Sequence, residues 1–496
     1  MTQICVSVTD ETTAGVVARL AALAHSADLF EIRGDLVRDL DLLTILRAKK
    51  RPLIFSCRTV AEGGRYDDAD DRRRLLLLEA VKRGYDYVDV DWKSRFHDVM
   101  AEKSGRGLIV SHHDVAETPG DLDGLYDAMC AVGADVVKIA VTPRSVSDVA
   151  RLLALWKRVA QSHATPLVAI AMGPLGVLTR IVGGRYGAPF TYASAAPGLE
   201  TAPGQVPADL LADLYRVGRI TEKTRVYGIL GQDVERSLSP ILHNRGFEAT
   251  GFDGVYVPLE AEALEPFVQA IPELGLAGFS VTRPYKVAIL PFLQEVDETA
   301  ALCESVNTVV VHDGLLQGST TDGTGVLLPL KRRLDVRGKR VVILGAGGAA
   351  RAAALALTRK GAHVTLLARD PGQAEFVAAA VGCAGGDLAD LRGHEWDVLV
   401  HATPVGGSSA PDETLVPAAA HRAGSVVLDM VYDPLQTRLL KEAAAAGCTT
   451  IPGIEMLVAQ ATVQFETWTG LEAPLEEMRE TAMLVARKRQ EGAAPA

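Results

Sequence analysis

The chain has no Cys-x-x-Cys pair. Its six cysteines (Cys5, Cys57, Cys130, Cys303, Cys383 and Cys448) are scattered along 496 residues, which excludes a clustered structural zinc site and fits a reducing compartment. No apolar run approaches the roughly 20 residues that a membrane-spanning helix needs. There is no excess of positive charge either. With 51 Lys and Arg against 62 Asp and Glu, the net charge is -11, so a general nucleic-acid or anionic-membrane binder is not expected. Small anions remain possible ligands, because a pocket can be basic on an acidic protein. No leader is expected, since residues 4–8 already read as a strand. These absences predict a cytoplasmic globular protein acting on small molecules, with no nucleic-acid or membrane partner and an open oligomeric state.

What is present is a regular alternation. A chain of this length predicts two or three domains. Strand-like runs at 4–9, 28–33, 52–57, 85–91, 107–112, 135–141, 166–172 and 190–194 are separated by amphipathic segments such as 13–24, 70–83, 122–132 and 147–162. Eight strands with helices between, in about 200 residues, predict a (β/α)8 barrel, with a doubly wound open sheet as the competing α/β fold. In a barrel the chemistry collects at the C-terminal strand ends. Those ends carry Glu31 and Arg33, Arg58, Asp89 and Asp91, His113 and Asp114, then Lys138, with Arg180 after the seventh strand.

Lys138 lies inside an apolar run, Ala134 to Val141. A buried lysine either pairs with a carboxylate, reaches solvent at a strand end, or loses its charge and becomes a nucleophile towards carbonyls. The run alone leaves these open. The ordered ring of polar strand ends favours the nucleophile, with a histidine to move protons and arginines to hold a carboxylate. Either His112 or His113 could face that ring. Glu62, four residues after Arg58, could orient and charge-stabilise the histidine.

The segments Glu31-Ile32-Arg33-Gly34-Asp35, Cys57-Arg58-Thr59 with Glu62-Gly63-Gly64, Ser111-His112-His113-Asp114, Val137-Lys138-Ile139-Ala140 and Thr201-Ala202-Pro203-Gly204-Gln205 resemble type I 3-dehydroquinate dehydratase, over residues 1 to about 215 in the family's order. The resemblance implies a Schiff base on Lys138 and proton transfer by His113 with Glu62 as its partner. It places Ser7, Glu31, Arg33, Arg58, Arg180, Thr201 and Gln205 around the substrate, and implies no metal and no cofactor. Asp91 stands where that family frequently has glutamate.

A helical segment at 207–219 and a short polar connector lead to a new strand at 226–231, with no Gly/Ser or Pro-rich spacer. A domain boundary is expected near 217–225. Further on, strand-like Arg340 to Leu344 runs into Gly345-Ala346-Gly347-Gly348-Ala349-Ala350 and an alanine-rich helix. Strand, glycine turn and helix in that order predict a dinucleotide-binding turn. The next strand ends at Arg369, which suits the 2′-phosphate of NADP better than NAD, although Asp370 is adjacent. Before this turn, Thr321-Asp322-Gly323-Thr324-Gly325 reads as a turn.

The segments 237–240 with His243-Asn244, 280–286, 305–308, 322–325, 345–350, 402–406, 429–434 and 453–460 resemble shikimate dehydrogenase from about 226 to 485. This implies catalysis by Lys286 and Asp322, and substrate contacts from Ser237, Ser239, Thr282, Asn307, Tyr432 and Gln460. Cofactor contacts fall on Gly345, Ala346, Gly347, Gly348, Ala349, Arg369, Met430 and Gly453, with Glu298 beside the nicotinamide. Ser280, Thr320, Ala368 and His401 replace asparagines usual in that family. The implied architecture is an N-terminal barrel (1–218), a substrate domain (226–330, completed by 453–488) and a Rossmann NADP domain (331–452). Together the resemblances imply a bifunctional enzyme of the shikimate pathway using NADPH. A quinate-oxidising variant using NAD, or a ligand sensor that has lost catalysis, are the alternatives. A sensor should have lost Lys138, His113, Lys286 or Asp322, and all four are present.

Overall fold

The computed structural model describes residues 1–102, 107–162 and 164–491. They form two compact units: Met1–Arg225 with Val257–Gly275, and Val226–Tyr256 with Leu276–Ala496.

The first unit contains the (β/α)8 barrel. Its strands are β1 (Gln3–Val8), β2 (Leu29–Arg33), β3 (Leu53–Ser56), β4 (Tyr87–Asp91), β5 (Gly107–Asp114), β6 (Val136–Val141), β7 (Leu167–Ala171), β8 (Phe190–Ser194) and a two-residue β9 (Val206–Pro207). They pair in the order β7-β6-β5-β4-β3-β2-β1-β8-β9. Strands covered on both faces read as continuous apolar, β-branched runs, and here β2, β3, β6, β7 and β8 are buried at every position. Between strands, Thr12, Asp41 and Asp121 cap the helices Thr13–Ala22, Leu42–Arg47 and Leu122–Ala131 by accepting from backbone N–H groups of the first turn. The step from β7 to β8 runs through the short helix Val177–Ile181. Thr179 Oγ1 accepts from the Ala171 N–H, and Thr191 in β8 donates to the Arg180 carbonyl. That double tie fixes Arg180.

An apolar layer that includes Leu29, Ile54, Ile109, Val136, Val168 and Phe190 fills the barrel core. Polar residues follow towards the C-terminal strand ends. The register places Ser7 opposite Glu31, Ser111 opposite Lys138 and Cys5 opposite Tyr192. The expected helix at 207–219 is instead a five-residue π turn, Leu210–Leu214, and a 3-10 turn, Val217–Arg219. Arg216 adopts a left-handed conformation (φ 50°) that interrupts the helix.

Two six-stranded sheets lie in the second half. The first contains β10 (Arg225–Gly231), β11 (Gly254–Glu260), β12 (Leu276–Val281), β13 (Glu295–Val296), β14 (Thr308–His312) and β15 (Leu315–Ser319), ordered β11-β10-β12-β14-β15-β13. The second contains β16 (Arg340–Leu344), β17 (His363–Ala368), β18 (Ala384–Asp387), β19 (Val398–His401), β20 (Val426–Asp429) and β21 (Thr449–Ile451). Its order, β18-β17-β16-β19-β20-β21, with parallel pairing throughout, is the Rossmann arrangement.

Thr321 to Gly325 is not a turn. Asp322 opens the helix Asp322–Lys331, and neither Gly323 nor Gly325 has positive φ. These glycines serve close packing. A Cβ on Gly323 would lie 2.8 Å from the Ala352 carbonyl, and one on Gly325 would lie 2.9 Å from Gln460 Cβ. The helix is thereby pressed between Gly348–Arg359 and Gly453–Thr469. Among the described residues no helix is long and apolar enough to cross a membrane.

Candidate active sites

Lys138 is 4 % exposed on β6. Its Nζ lies 3.3 Å from Asp89 Oδ2, 3.8 Å from Glu31 Oε1 and 3.8 Å above the centre of the Tyr192 ring. Burial, reinforced by the nearby Arg58 guanidinium, lowers its pKa below the usual lysine value despite the two carboxylates. Those carboxylates are committed elsewhere as well. Arg58 donates to Glu31 at 3.0 Å and to Asp89 at 2.6 Å. Ser7 and Ser56 donate to Glu31, and Ser111 donates to Asp89. Burial opposes ionisation of Glu31, but Lys138, Arg58 and Arg33 outweigh it and hold the carboxyl well below its usual range.

Arg58 also lies 2.9 Å from Nδ1 of His113. A guanidinium only donates, so Nδ1 accepts and the neutral ring carries its proton on Nε2. Burial and then Arg58 push the His113 pKa well below the ordinary histidine value. Glu62 Oε1 is 3.5 Å from the same Nδ1. Burial, with Asp91 beside it, raises Glu62 to about 8. Burial thus favours the uncharged carboxyl at neutral pH, and charge stabilisation of the histidine, as expected from the sequence, requires Glu62 to ionise. His112 lies on the opposite side of the strand, and burial lowers its pKa too.

Ser7, Glu31, Arg33, Arg58, Glu62, His113, Lys138, Arg180, Thr201 and Gln205 all line one cavity of about 90 Å³. Every barrel residue expected at a site is therefore brought together. Arg33 is clamped bidentately by Asp35. Gln205 accepts from the Thr201 N–H at 2.8 Å. Arg180 is 1 % exposed and donates to the Pro203 carbonyl, but its Nε has no partner among the described residues. Burial lowers its pKa to about 10 with no carboxylate opposing it. A buried guanidinium lacking a counter-ion is a prepared site for an anion. Sequence reasoning missed Tyr192 and Arg73. Tyr192 could have been found from alternation, since positions 190, 192 and 194 of β8 point to one face. Arg73 is 2 % exposed, 3.9 Å from Glu62, and nothing in its helical pattern marks it.

In the second half, Lys286 sits on the short helix Tyr285–Ala288 after β12, and Asp322 opens its helix. Lys286 Nζ donates to Asp322 Oδ2 at 2.5 Å. Asn307 Nδ2 reaches Asp322 Oδ1 at 2.8 Å and Gln460 Oε1 at 3.3 Å. Four expected residues thus form one polar cluster. Ser237 lies beside Tyr432, whose phenol is raised by burial. Thr282 directly follows β12, its N–H bonded to the Leu230 carbonyl. Ser239 is buried at the start of the helix Ser239–Thr250. Ser280 accepts from Tyr256 at 2.6 Å and donates to Gln464 at 3.1 Å. Tyr256 and Gln464 were not anticipated, although Gln464 follows Gln460 by one helical turn.

The glycine turn fits a dinucleotide. Gly345 has φ 117°, and the space where a Cβ on Gly347 would lie is open, leaving room for a phosphate at the N-terminus of Gly348–Arg359. A Cβ on Gly348 would lie 2.3 Å from Ser305 Oγ and 3.5 Å from Lys286 Cβ, so this turn abuts the cluster around Lys286 and Asp322. Ala346 and Ala349 complete the turn. Arg369 is exposed at the end of β17 and borders a cavity of about 520 Å³. Asp370 does not compete with it, because its carboxylate accepts from the Gln373 N–H and caps the helix Pro371–Val381. Met430 follows β20. A Cβ on Gly453 would lie 2.6 Å from its carbonyl, which explains that glycine. Glu298 is placed elsewhere. It pairs with Arg359, at the far end of the helix from the glycine turn, and its side chain is 81 % exposed.

Four family models match the chain: Type I 3-dehydroquinase over 4–222, Shikimate dehydrogenase substrate binding domain over 229–309, Putative NAD(P)-binding over 333–429 and Shikimate 5′-dehydrogenase C-terminal domain over 453–483. The chain is 37 % identical over 479 residues to a bifunctional 3-dehydroquinate dehydratase/shikimate dehydrogenase, chloroplastic, of Arabidopsis thaliana, covering 91 % of this chain and 79 % of that protein. It is 41 % identical over 261 residues to a shikimate dehydrogenase (NADP(+)) of Pyrococcus abyssi, covering 52 % of this chain and 97 % of that one. A solved shikimate dehydrogenase in complex with NADP+ superposes with a TM-score of 0.51 at 37 % identity, covering 53 % of this chain and 96 % of the other.

Proposed function

The chain belongs to the family of bifunctional 3-dehydroquinate dehydratase/shikimate dehydrogenases, and on that premise we propose that Lys138 carries the dehydration while Lys286 and Asp322 carry the reduction. The protein dehydrates 3-dehydroquinate to 3-dehydroshikimate and reduces this to shikimate with NADPH. Residues 1–218 are the dehydratase barrel, 226–330 with 453–488 the substrate-binding part of the reductase, and 331–452 its NADP-binding domain.

In the barrel, the Lys138 amine adds to the C3 carbonyl of the substrate and loses water to give an iminium. Arg180 holds the substrate carboxylate, which supplies the counter-ion its guanidinium lacks. His113 takes a proton from C2, and the electron pair moves into the iminium. The C1 hydroxyl leaves as water with a proton returned by His113, forming the C1–C2 double bond. Hydrolysis frees product and amine. For Nε2 to act as the base, Nδ1 must carry the ring proton. That requires Arg58 to swing onto the substrate and an ionised Glu62 to accept from Nδ1. The observation that carries this reading is the desolvated Lys138 amine in one cavity with the uncompensated Arg180.

In the second half, NADPH when bound supplies a hydride to the C3 carbonyl of 3-dehydroshikimate. Lys286, hydrogen-bonded to Asp322, gives its proton to the oxygen of that carbonyl, and Asn307 and Gln460 orient the ring hydroxyls. Ser237, Ser239, Thr282 and Tyr432 complete the substrate side. Gly345 to Ala349, Met430 and Gly453 shape the cofactor side, and Arg369 holds the 2′-phosphate. We place the enzyme in the cytoplasm, a reading supported by six free cysteines. Its partners are then its substrates and NADPH, and its net charge of -11 gives no support for nucleic acid or anionic membrane as a further one.

A coupled assay tests the division of labour. Wild type given 3-dehydroquinate and NADPH makes shikimate. Lys138→Ala reduces 3-dehydroshikimate only, and Lys286→Ala stalls with 3-dehydroshikimate accumulating. Normal consumption of 3-dehydroquinate by Lys138→Ala would sink the imine mechanism.

A further inference from the structure

The barrel cavity contains a buried polar group to which the mechanism above gives no work. Tyr192, in the middle of β8, is 3 % exposed and lines the cavity with Lys138, His113 and Arg180. Its hydroxyl has no hydrogen-bond partner among the described residues. A buried hydroxyl without a partner is costly, so a tyrosine at this position requires a compensating use. Its ring already has one contact: the Lys138 Nζ stands 3.8 Å above the centroid, well inside the distance at which a cation is attracted to an aromatic face. Phe190, edge-on at 5.7 Å, fixes the ring from below.

We propose that Tyr192 is a substrate-binding residue of the dehydratase site, its hydroxyl donating to an oxygen of the bound cyclohexane ring while its face positions the Lys138 amine for attack. The proposal rests on the reading of Lys138 as the imine-forming residue. The substrate class follows from the neighbours. Arg180 takes a carboxylate, and Glu31, Ser7 and Gln205 already bond to one another. The Tyr192 hydroxyl is a neutral donor with no acceptor among the described residues. Burial, with Glu31 nearby, holds the phenol well above its usual value, so it keeps its proton throughout the working range. A polyhydroxylated ring bearing a carboxylate satisfies both groups at once, and an apolar carbonyl compound would leave the hydroxyl unpaired.

The two contacts separate by substitution. Tyr192→Phe keeps the ring and removes only the hydroxyl. The KM for 3-dehydroquinate should rise about tenfold, in line with the loss of one buried hydrogen bond, with kcat within about threefold of wild type. Tyr192→Leu also removes the ring face. A cation over an aromatic face is stabilised as the ammonium, so loss of the face favours the free amine. The acid limb of kcat/KM, where Lys138 of the free enzyme deprotonates, should then move to lower pH relative to Tyr192→Phe. NADPH-dependent reduction of 3-dehydroshikimate by each purified variant shows that the second unit is folded, and a circular-dichroism spectrum and melt matching wild type show the same of the barrel. An unchanged KM in Tyr192→Phe overturns the proposal, and so does an acid limb that stays in place in Tyr192→Leu. Dehydration that survives in Lys138→Ala is a different outcome, striking the lysine reading itself.

Discussion

At the scale of single residues, the most consequential number is the Glu62 value of about 8. The group is raised by burial, so it is neutral below pH 8 and a carboxylate above it. The carboxylate can only accept, so it holds the Nδ1 proton of His113 and leaves Nε2 free for its proposed role as base, whereas the protonated carboxyl can donate to Nδ1 instead. The kcat/KM for dehydration should therefore climb as pH passes from 7 to 9, since that ratio reports groups of the free enzyme. Glu62→Gln supplies a fixed amide acceptor of the same shape, and its profile should be flat over this window. A variant that keeps the climb would show that another group titrates. The placement of Lys138 and Arg58 in one cavity was legible in the sequence because a strand ending at a barrel mouth fixes where its last polar residue lies. The protonation of Glu62 was not, because it depends on burial beside Asp91, a residue 29 positions away.

At the scale of elements, the barrel strands were legible because burial on both faces writes itself as unbroken Val, Ile and Leu runs. The segment Asp322 to Gly325 misled for a physical reason. Two glycines flanking Thr324 look like a turn when φ is unknown, but here they make room for neighbouring helices. The consequence is testable at Gly325, whose absent Cβ lets Met456 and Gln460 approach. Gly325→Ala forces the helix Asp322–Lys331 away from Gly453–Thr469 and moves Asp322 relative to Gln460. Overpacking of this kind costs about 1–3 kcal/mol. Reductase kcat should fall about tenfold or more with a lowered melting temperature, since a misplacement of about 1 Å costs up to ~100-fold. Dehydratase activity of the same preparation should hold. An unaltered reductase would mean the contact is dispensable.

At the scale of the whole chain, two sites handle the same ketone. 3-Dehydroshikimate is the product of the first and the substrate of the second, so in the proposed roles each lysine meets a carbonyl to which an amine could add. An imine on Lys286 would block reduction, and the two environments keep the chemistries apart. Lys138 is desolvated, its amine poised over a ring and its charge disfavoured by burial. Lys286 donates to Asp322 at 2.5 Å, and a carboxylate in direct contact favours the charged ammonium, which has no electron pair for attack. That both units are α/β was legible from strand and helix alternation, whereas this difference between two lysines is set by partners far along the chain. Borohydride reduces an iminium to a stable amine and so records which lysine reacted. Incubation with 3-dehydroshikimate in the absence of NADPH, followed by borohydride, should add one ligand-derived mass per chain, located on the peptide containing Lys138. Dehydratase activity should be lost in proportion to that mass, and after removal of reagent the reductase should keep its full rate with NADPH. Repeating the treatment on Lys138→Ala should leave the mass unchanged. A second adduct on Lys286, or parallel loss of both activities, would show that the Asp322 contact does not protect the second lysine and that the separation of chemistries lies elsewhere.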